Sequence, residues 1–141
     1  MRWDLRLHGV GNASAVELGS AMATIEHQGQ PWLTIDCGGE GLTAFMAHYG
    51  RAPRALFITH THLDHISGFE RLFGANYFAA PRRDRTRLYV PAPLFPLMQH
   101  RIGGYPNVFA EVGANSWCWF RLIQYEGAFW HDGRRLGCVR C

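Results

Sequence analysis

The chain has 141 residues, of which 48% are hydrophobic, and a formal net charge of +3. This length is enough for one hydrophobic core and too short for two ordinary domains, so we expect a single domain over residues 1–141. No stretch approaches the roughly 18 apolar residues that a membrane span requires, and residues 1–6 lack the apolar centre of a secretory signal. We therefore expect a cytoplasmic protein with no membrane partner.

Cysteine and arginine usage gives weaker indications. The four cysteines are too sparse for a disulfide framework, and although Cys138 and Cys141 have metal-binding or redox spacing, no second pair accompanies them. All 14 basic residues are arginine, and four of them lie between Arg82 and Arg87. This arginine segment could steer a phosphodiester or nucleic-acid substrate, but its composition is more typical of a solvated loop.

The N-terminal third is predicted to be extended. Residues 5–10 and 21–27 have the pattern of half-buried strands, and turn residues at 28–31 lead into a second apolar strand at 32–35. These strands predict an antiparallel hairpin. The last strand ends in the glycine-rich bend of residues 36–39.

Helices and strands alternate in the middle of the chain. A helix is predicted to begin at Glu40, with Gly50 just past its end. A buried strand at 55–58 follows, and then a second amphipathic helix that begins at Asp64 and is stopped by Gly74. The order strand, helix, strand, helix predicts a parallel βαβ unit, and therefore an α/β fold with a mixed sheet.

The C-terminal part is predicted to contain three further elements. Residues 88–90 have the pattern of a strand, and residues 94–102 that of a helix closed by Gly103 and Gly104. Residues 119–125 and 128–131 are predicted to form a hairpin that turns at Glu126 and Gly127.

The segment after the buried strand carries four metal-ligand residues. His60 and His62 alternate along an extended backbone, so both side chains leave the strand end on one side, where they could bind one metal ion. Asp64 is predicted to be the N-cap of the following helix, and His65 lies in its first turn, where the two could face a second ion. Imidazole and carboxylate ligands favour zinc, with manganese or iron as alternatives.

The spacing His-x-His-x-Asp-His resembles the signature of the metallo-β-lactamase superfamily at every position. Residues 35–38 resemble that superfamily's aspartate-glycine bend, and residues 9–12 resemble its ribonuclease Z and phosphodiesterase branch. The resemblance implies part of an αββα sandwich and two zinc ions. It further implies that His60 and His62 bind the first ion, that Asp64 and His65 bind the second, that Asp64 also orients the attacking water, and that Asp36 supports the loop.

The superfamily completes this site with two later histidines and a bridging aspartate. The sequence reaches Cys141 before them, so we expect a domain truncated at its C-terminal side, in which each ion receives two ligands. His131 and Asp132 are expected to form a turn rather than to replace a missing ligand. The absent half would leave an apolar face, which predicts a homodimer.

Two functions from different classes follow. The first is a metal-dependent hydrolase acting on a phosphodiester, with lactones and thioesters as alternative small-molecule substrates. The second is a non-catalytic remnant that keeps the fold and a partial metal site. Nucleic-acid binding through the arginine segment ranks below both, since the segment lacks interleaved aromatic residues.

Overall fold

The computed structural model describes residues 1–79, 84–103 and 120–137. The strands are β1 (Trp3–Gly9), β2 (Met22–His27), β3 (Gln30–Ile35), β4 (Ala55–Phe57), β5 (Arg87–Pro91), β6 (Arg121–Tyr125), β7 (Ala128–His131) and β8 (Arg134–Gly137). The α-helices are α1 (Gly39–Tyr49), α2 (Leu63–Ile66), α3 (Phe69–Ala79) and α4 (Phe95–Ile102). Within these described ranges, no helix is long and apolar enough to cross a lipid bilayer.

Strands β1 to β6 form one mixed sheet in sequence order, and β7 pairs with β8 in a separate hairpin. The first three strands are antiparallel neighbours, whereas β3, β4, β5 and β6 run parallel to one another. Helix α1 connects β3 to β4 as predicted, and Gly50 ends it in a left-handed conformation with φ of 68°. The predicted α/β class, with an N-terminal antiparallel hairpin and a βαβ unit, is confirmed.

The turn of the N-terminal hairpin is shorter than predicted. Gln28 and Gly29 both have positive φ, at 54° and 74°, and β3 already begins at Gln30. Two central residues with positive φ form the turn whose twist matches that of paired strands. The hairpin therefore closes on two residues rather than on the four that the sequence indicated.

The helix predicted from Asp64 to Gly74 is wrong in three respects. It is divided into α2 and α3, it continues past Gly74, and its N-cap is His62 rather than Asp64. The division lies beside Gly68, whose N–H donates to the carbonyl oxygen of Cys37 at 2.8 Å. A Cβ at this position would lie only 2.9 Å from that oxygen, so close contact with the bend after β3 interrupts the helix.

The hairpin predicted between residues 119–125 and 128–131 is also wrong. Strand β6 pairs in parallel with β5, and residue 119 lies outside the described residues. Strand β7 instead turns back at Asp132 and Gly133, which both have positive φ, and pairs with β8. The expectation that His131 and Asp132 form a turn is correct for Asp132, whereas His131 is the last residue of β7.

The two faces of the main sheet are covered differently. One face packs against the helices and is lined by buried apolar residues that include Leu42, Phe45, Leu56, Phe69, Leu88 and Met98. The other face contacts the β7–β8 hairpin around Leu33, Ala55, Tyr89, Tyr125 and Phe129. The helices thus cover one face of the parallel strands. The carboxyl ends of these strands position the segment that contains the four predicted metal ligands.

Candidate metal centre

The four predicted ligands lie at the carboxyl edge of the parallel strands, where open α/β sheets generally bind their ligands. The bend at residues 36–39 follows β3, and the segment that contains the histidines follows β4. The N–H of Asp36 donates to the carbonyl oxygen of Phe57 at 2.8 Å, and the N–H of Ile58 donates to that of Tyr89 at 3.2 Å. The first bond holds the two loops beside each other, and the second joins the start of the ligand segment to β5.

Helix α2 is fixed against the same bend. The N–H of Cys37 donates to the carbonyl oxygen of His65 at 2.8 Å. A Cβ on Gly38 would lie 2.5 Å from the carbonyl oxygen of Asp64 and 2.4 Å from the hydroxyl of Ser20. Because backbone and side-chain atoms approach so closely, the bend requires glycine at position 38.

Asp36 connects the bend to both parts of the ligand segment. Its carboxylate is nearly buried and accepts hydrogen bonds from the N–H of Thr59 at 2.8 Å and from the Thr59 hydroxyl at 2.7 Å. The same carboxylate is 2.7 Å from Nδ1 of His65. The supporting position that the resemblance implied for Asp36 therefore corresponds to three contacts in the structure.

The first pair of ligands has the separation expected around a single ion. Nε2 of His60 lies 3.2 Å from Nδ1 of His62. Bond lengths of about 2.0–2.1 Å in a tetrahedral zinc site place two nitrogen ligands about 3.3 Å apart. The Thr59 hydroxyl, at 2.9 Å from Nδ1 of His60, can accept a hydrogen bond from Nδ1–H, which leaves Nε2 free for a metal.

The second pair has nearly the same separation. Nε2 of His65 lies 3.3 Å from Oδ2 of Asp64, and Nδ1 of the same ring faces Asp36. When Nδ1–H donates to Asp36, Nε2 carries a lone pair toward a metal. The rings of His60 and His65 have centroids 4.0 Å apart, so the two pairs are adjacent.

The donor chemistry of these pairs fits zinc, but the coordination is partial. Within the described part of the chain, no group of three or more histidine, cysteine, aspartate or glutamate side chains is arranged around one metal position. Each ion would take two ligands from these pairs. A catalytic zinc site takes at least three ligands from protein.

Burial shifts the pKa of His60, a member of the first pair, and the pKa of the nearby Cys37 thiol in opposite directions. Burial lowers the pKa of His60, and the neighbouring His65 lowers it further. Burial raises the pKa of the Cys37 thiol, with a smaller contribution from Asp36. His60 is therefore favoured in the neutral form that binds metals, whereas Cys37 stays protonated.

Within the described residues, no other histidine or cysteine completes either pair. His131 is buried elsewhere, between the hydroxyl of Tyr89 and the carbonyl oxygen of Trp32. His100 is an exposed residue of α4. Cys138 and Cys141 lie outside the described residues.

The arginine segment is described only in part, because Arg82 and Arg83 lie outside the described residues. Arg87 is bound by Asp132 at 2.8 Å, which gives this guanidinium a structural partner. Sequence reasoning assigned no role to Thr59 and did not single out Arg101, whose Nη1 donates to the carbonyl oxygen of Thr61. The contacts of Thr59 with Asp36 and of Arg101 with Thr61 each join segments far apart in the chain, so residue spacing carried no signal for them.

Comparison with known proteins shows the family of the chain. The family model described as Anti-Pycsar protein Apyc1 matches residues 3–105, which is more than half of the chain. The chain belongs to this family. Its placement in the metallo-β-lactamase superfamily, which the motif predicted, is confirmed by the relatives that follow.

Curated relatives of this Apyc1-family chain are ribonucleases Z. It is 35% identical over 107 residues to ribonuclease Z of Deinococcus radiodurans, covering 76% of this chain and 31% of the relative. It is 40% identical over 85 residues to that of Bacillus mycoides, covering 58% of this chain and 25% of the relative. The chain thus spans about a third or less of the length of these relatives.

Solved structures share the fold of the Apyc1-family chain. A diphosphatase of the PhnP family has a TM-score of 0.66 at 16% identity, with 96% of this chain and 55% of that chain covered. The metallo-β-lactamase fold protein YhfI of Bacillus subtilis has a TM-score of 0.64 at 14% identity, covering 92% and 50% respectively. The short form of human tRNase Z has a TM-score of 0.59 at 19% identity, covering 85% and 44%. The predicted partial metallo-β-lactamase fold is confirmed.

Proposed function

We propose that the chain is a metal-dependent hydrolase that cleaves phosphodiester bonds with a metal-activated water. The observation that supports this proposal is the juxtaposition of His60 with His62 and of Asp64 with His65, each at a separation suited to one ion. Names of relatives support the phosphodiester as substrate class, since a ribonuclease and a diphosphatase act on phosphorus esters or anhydrides. Zinc is the proposed metal, with manganese or iron as alternatives.

Some residues of the centre would bind the metal ions, and others would orient the ligands and the attacking water. Bound ions would lower the pKa of a water molecule and stabilise the charge that develops on the phosphoryl oxygens. His60, His62, Asp64 and His65 would hold the ions. The carboxylate of Asp64 would also accept a hydrogen bond from the attacking water and direct it toward the phosphorus, while Asp36 keeps His65 in place.

Metal content and hydrolysis measured together test the proposal. Protein loaded with zinc or manganese should contain close to two equivalents of metal and hydrolyse bis(p-nitrophenyl) phosphate. His62→Ala should lose bound metal and activity together, because one ion would keep a single ligand from its pair. His48→Ala, a change at an exposed histidine of α1, is the matched control and should retain both. A fully metal-loaded protein that hydrolyses no phosphodiester contradicts the proposal.

A second candidate is a non-catalytic protein that keeps the fold and binds metal weakly. It is supported by the finding that, in the described ranges, no three candidate ligands surround one position. Because two ligands per ion bind less tightly than three or four, this candidate predicts less than one equivalent of metal and no turnover. Metal analysis of the purified protein separates the two candidates directly. A cytoplasmic location remains a prediction.

A further inference from the structure

One arginine of the helix layer contacts the ligand segment itself. Nη1 of Arg101, in the last turn of α4, donates to the carbonyl oxygen of Thr61 at 2.8 Å. Thr61 is the residue between His60 and His62, and it is nearly buried. The guanidinium therefore contacts the backbone between the two members of the first ligand pair.

The helix that carries Arg101 is firmly anchored. Met98 and Ile102, which lie one turn apart on α4, are buried in the main hydrophobic cluster. Arg101 adjoins this anchored face, and the residue as a whole remains exposed to solvent. A basic residue in the last turn of a helix often interacts with its own helix end. Arg101 instead bonds to a loop of the neighbouring β4 segment.

The charge of Arg101 does not help to hold a metal cation, because a guanidinium beside the ligand pairs repels the cation they would bind. Its charge and geometry suit an anion. A guanidinium has five N–H donors in a planar fork, and the bond to Thr61 uses one of them. The exposed donors that remain can make two parallel bonds to the oxygens of one phosphate.

We propose that Arg101 binds the nonbridging oxygens of a phosphodiester held at the candidate metal centre, and so selects anionic substrates over neutral esters. This inference rests on the proposed function for the location of the substrate. It narrows the substrate class, because lactones and thioesters lack a phosphoryl anion for the guanidinium to contact. The bond to Thr61 keeps the side chain directed at the segment that holds the first ion.

Binding of a matched pair of small phosphates tests the inference without requiring turnover. Dimethyl phosphate is an anionic diester, and trimethyl phosphate is its neutral counterpart. We expect the zinc-loaded protein to bind dimethyl phosphate preferentially, as followed by NMR titration. Arg101→Gln should reduce that affinity about tenfold, since a hydrogen bond to a charged group is lost, and should leave trimethyl phosphate unaffected.

Two further variants separate phosphate binding from loop support. Arg71→Gln is the matched control, because Arg71 is also an exposed arginine with one hydrogen bond, from Nη1 to the Thr43 hydroxyl at 2.7 Å, and that bond joins α3 to α1. Its dimethyl phosphate affinity should equal that of the unmodified protein. Arg101→Lys should recover part of the affinity lost in Arg101→Gln, since it restores the charge without the fork.

The outcomes distinguish this inference from the proposed function. Equal affinity of the unmodified protein and Arg101→Gln for dimethyl phosphate overturns the inference, as does equal binding of the anionic and neutral esters. A loss of bound zinc in Arg101→Gln also overturns it, because the side chain would then support the loop. If binding depends on Arg101 but no phosphodiester is hydrolysed, the proposed function fails and the inference stands.

Discussion

Asp36 has a backbone conformation that few residues other than glycine adopt, with φ of 60°. Aspartate and asparagine tolerate this region better than other side chains. The conformation turns the chain out of β3 and brings the carboxylate to Thr59 and His65. One residue thereby orients a ligand in each pair, His65 directly and His60 through the Thr59 hydroxyl.

We expect Asp36→Asn to weaken zinc binding by about ten- to a hundredfold, the usual cost of removing a residue that orients metal ligands. Asparagine tolerates the same backbone conformation but has an NH2 donor in place of one carboxylate oxygen. The three hydrogen bonds that Asp36 accepts from Thr59 and His65 therefore cannot all be kept. Asp132→Asn is the control, because Asp132 also has positive φ and accepts from an arginine. Competition with a chromophoric chelator measures the affinities, and equal values for the two variants would contradict the prediction.

The sequence predicted which ligand residues lie close together, but not the other residues that contact the ligand segment. His60 and His62 could be paired from their spacing because alternation in an extended chain is a local rule. Asp64 and His65 are adjacent, so their proximity required no long-range information. Thr59 and Arg101 act through contacts with distant segments, which depend on the completed fold.

At the level of strands and helices, local sequence patterns predicted where the elements lie better than which elements pair or pack together. Apolar spacing at Ile66, Phe69 and Phe73 continues across Gly68, so periodicity alone indicated one helix where close contact with Cys37 produces two. Strand β6 was predicted to form a hairpin because a short glycine-containing segment follows it. Its true partner is β5, and the stronger turn signal was Asp132 followed by Gly133.

The β7–β8 hairpin is joined to the sheet by a buried histidine whose neutral form is favoured by burial. His131 is 1% exposed, Nε2–H donates to the carbonyl oxygen of Trp32, and Nδ1 accepts from the hydroxyl of Tyr89. Burial is the main cause that lowers the pKa of His131, and Arg87 lowers it further. The folded state therefore binds this proton less readily than the unfolded state does.

This shift makes the contribution of His131 depend on pH. The stabilisation is fully present above the unfolded-state pKa of about 6.5 and is lost as the pH falls through that value toward the lowered folded-state pKa. We expect His131→Leu to lower the free energy of unfolding by about 1–3 kcal/mol at pH 8, since two buried hydrogen bonds are lost. The deficit should shrink toward about pH 5, where the unmodified protein is penalised for protonating His131.

Urea unfolding of both proteins across this pH range measures the deficit. Subtracting the two free energies of unfolding cancels the contribution of His8, whose pKa is also lowered, chiefly by burial. A deficit that stays constant or grows on acidification would contradict the role given to His131. Tyr89→Phe removes the hydroxyl that binds Nδ1 and should reproduce part of the loss at high pH.

The two faces of the main sheet are covered unequally, and this bears on whether the whole molecule forms a dimer. The β7–β8 hairpin packs over Tyr89 and Tyr125, toward one side of the sheet. At the opposite side, β1 is an edge strand, and its Leu5 and Leu7 are 61% and 60% exposed. These two side chains point to one face of the strand, so together they form an apolar surface.

We expect this surface to associate with a second copy of the chain. In a two-fold dimer, each of these leucines would be buried in both subunits. Burying one leucine contributes about 1.5–3 kcal/mol. The double substitution Leu5→Glu with Leu7→Glu should therefore raise the dimer Kd more than tenfold per position, with little effect on folding, because both sites are exposed in the monomer. Leu97→Glu, at an exposed leucine of α4, is the control. Light scattering coupled to size exclusion over a wide concentration range measures the association, and an unmodified protein that stays monomeric throughout would contradict it.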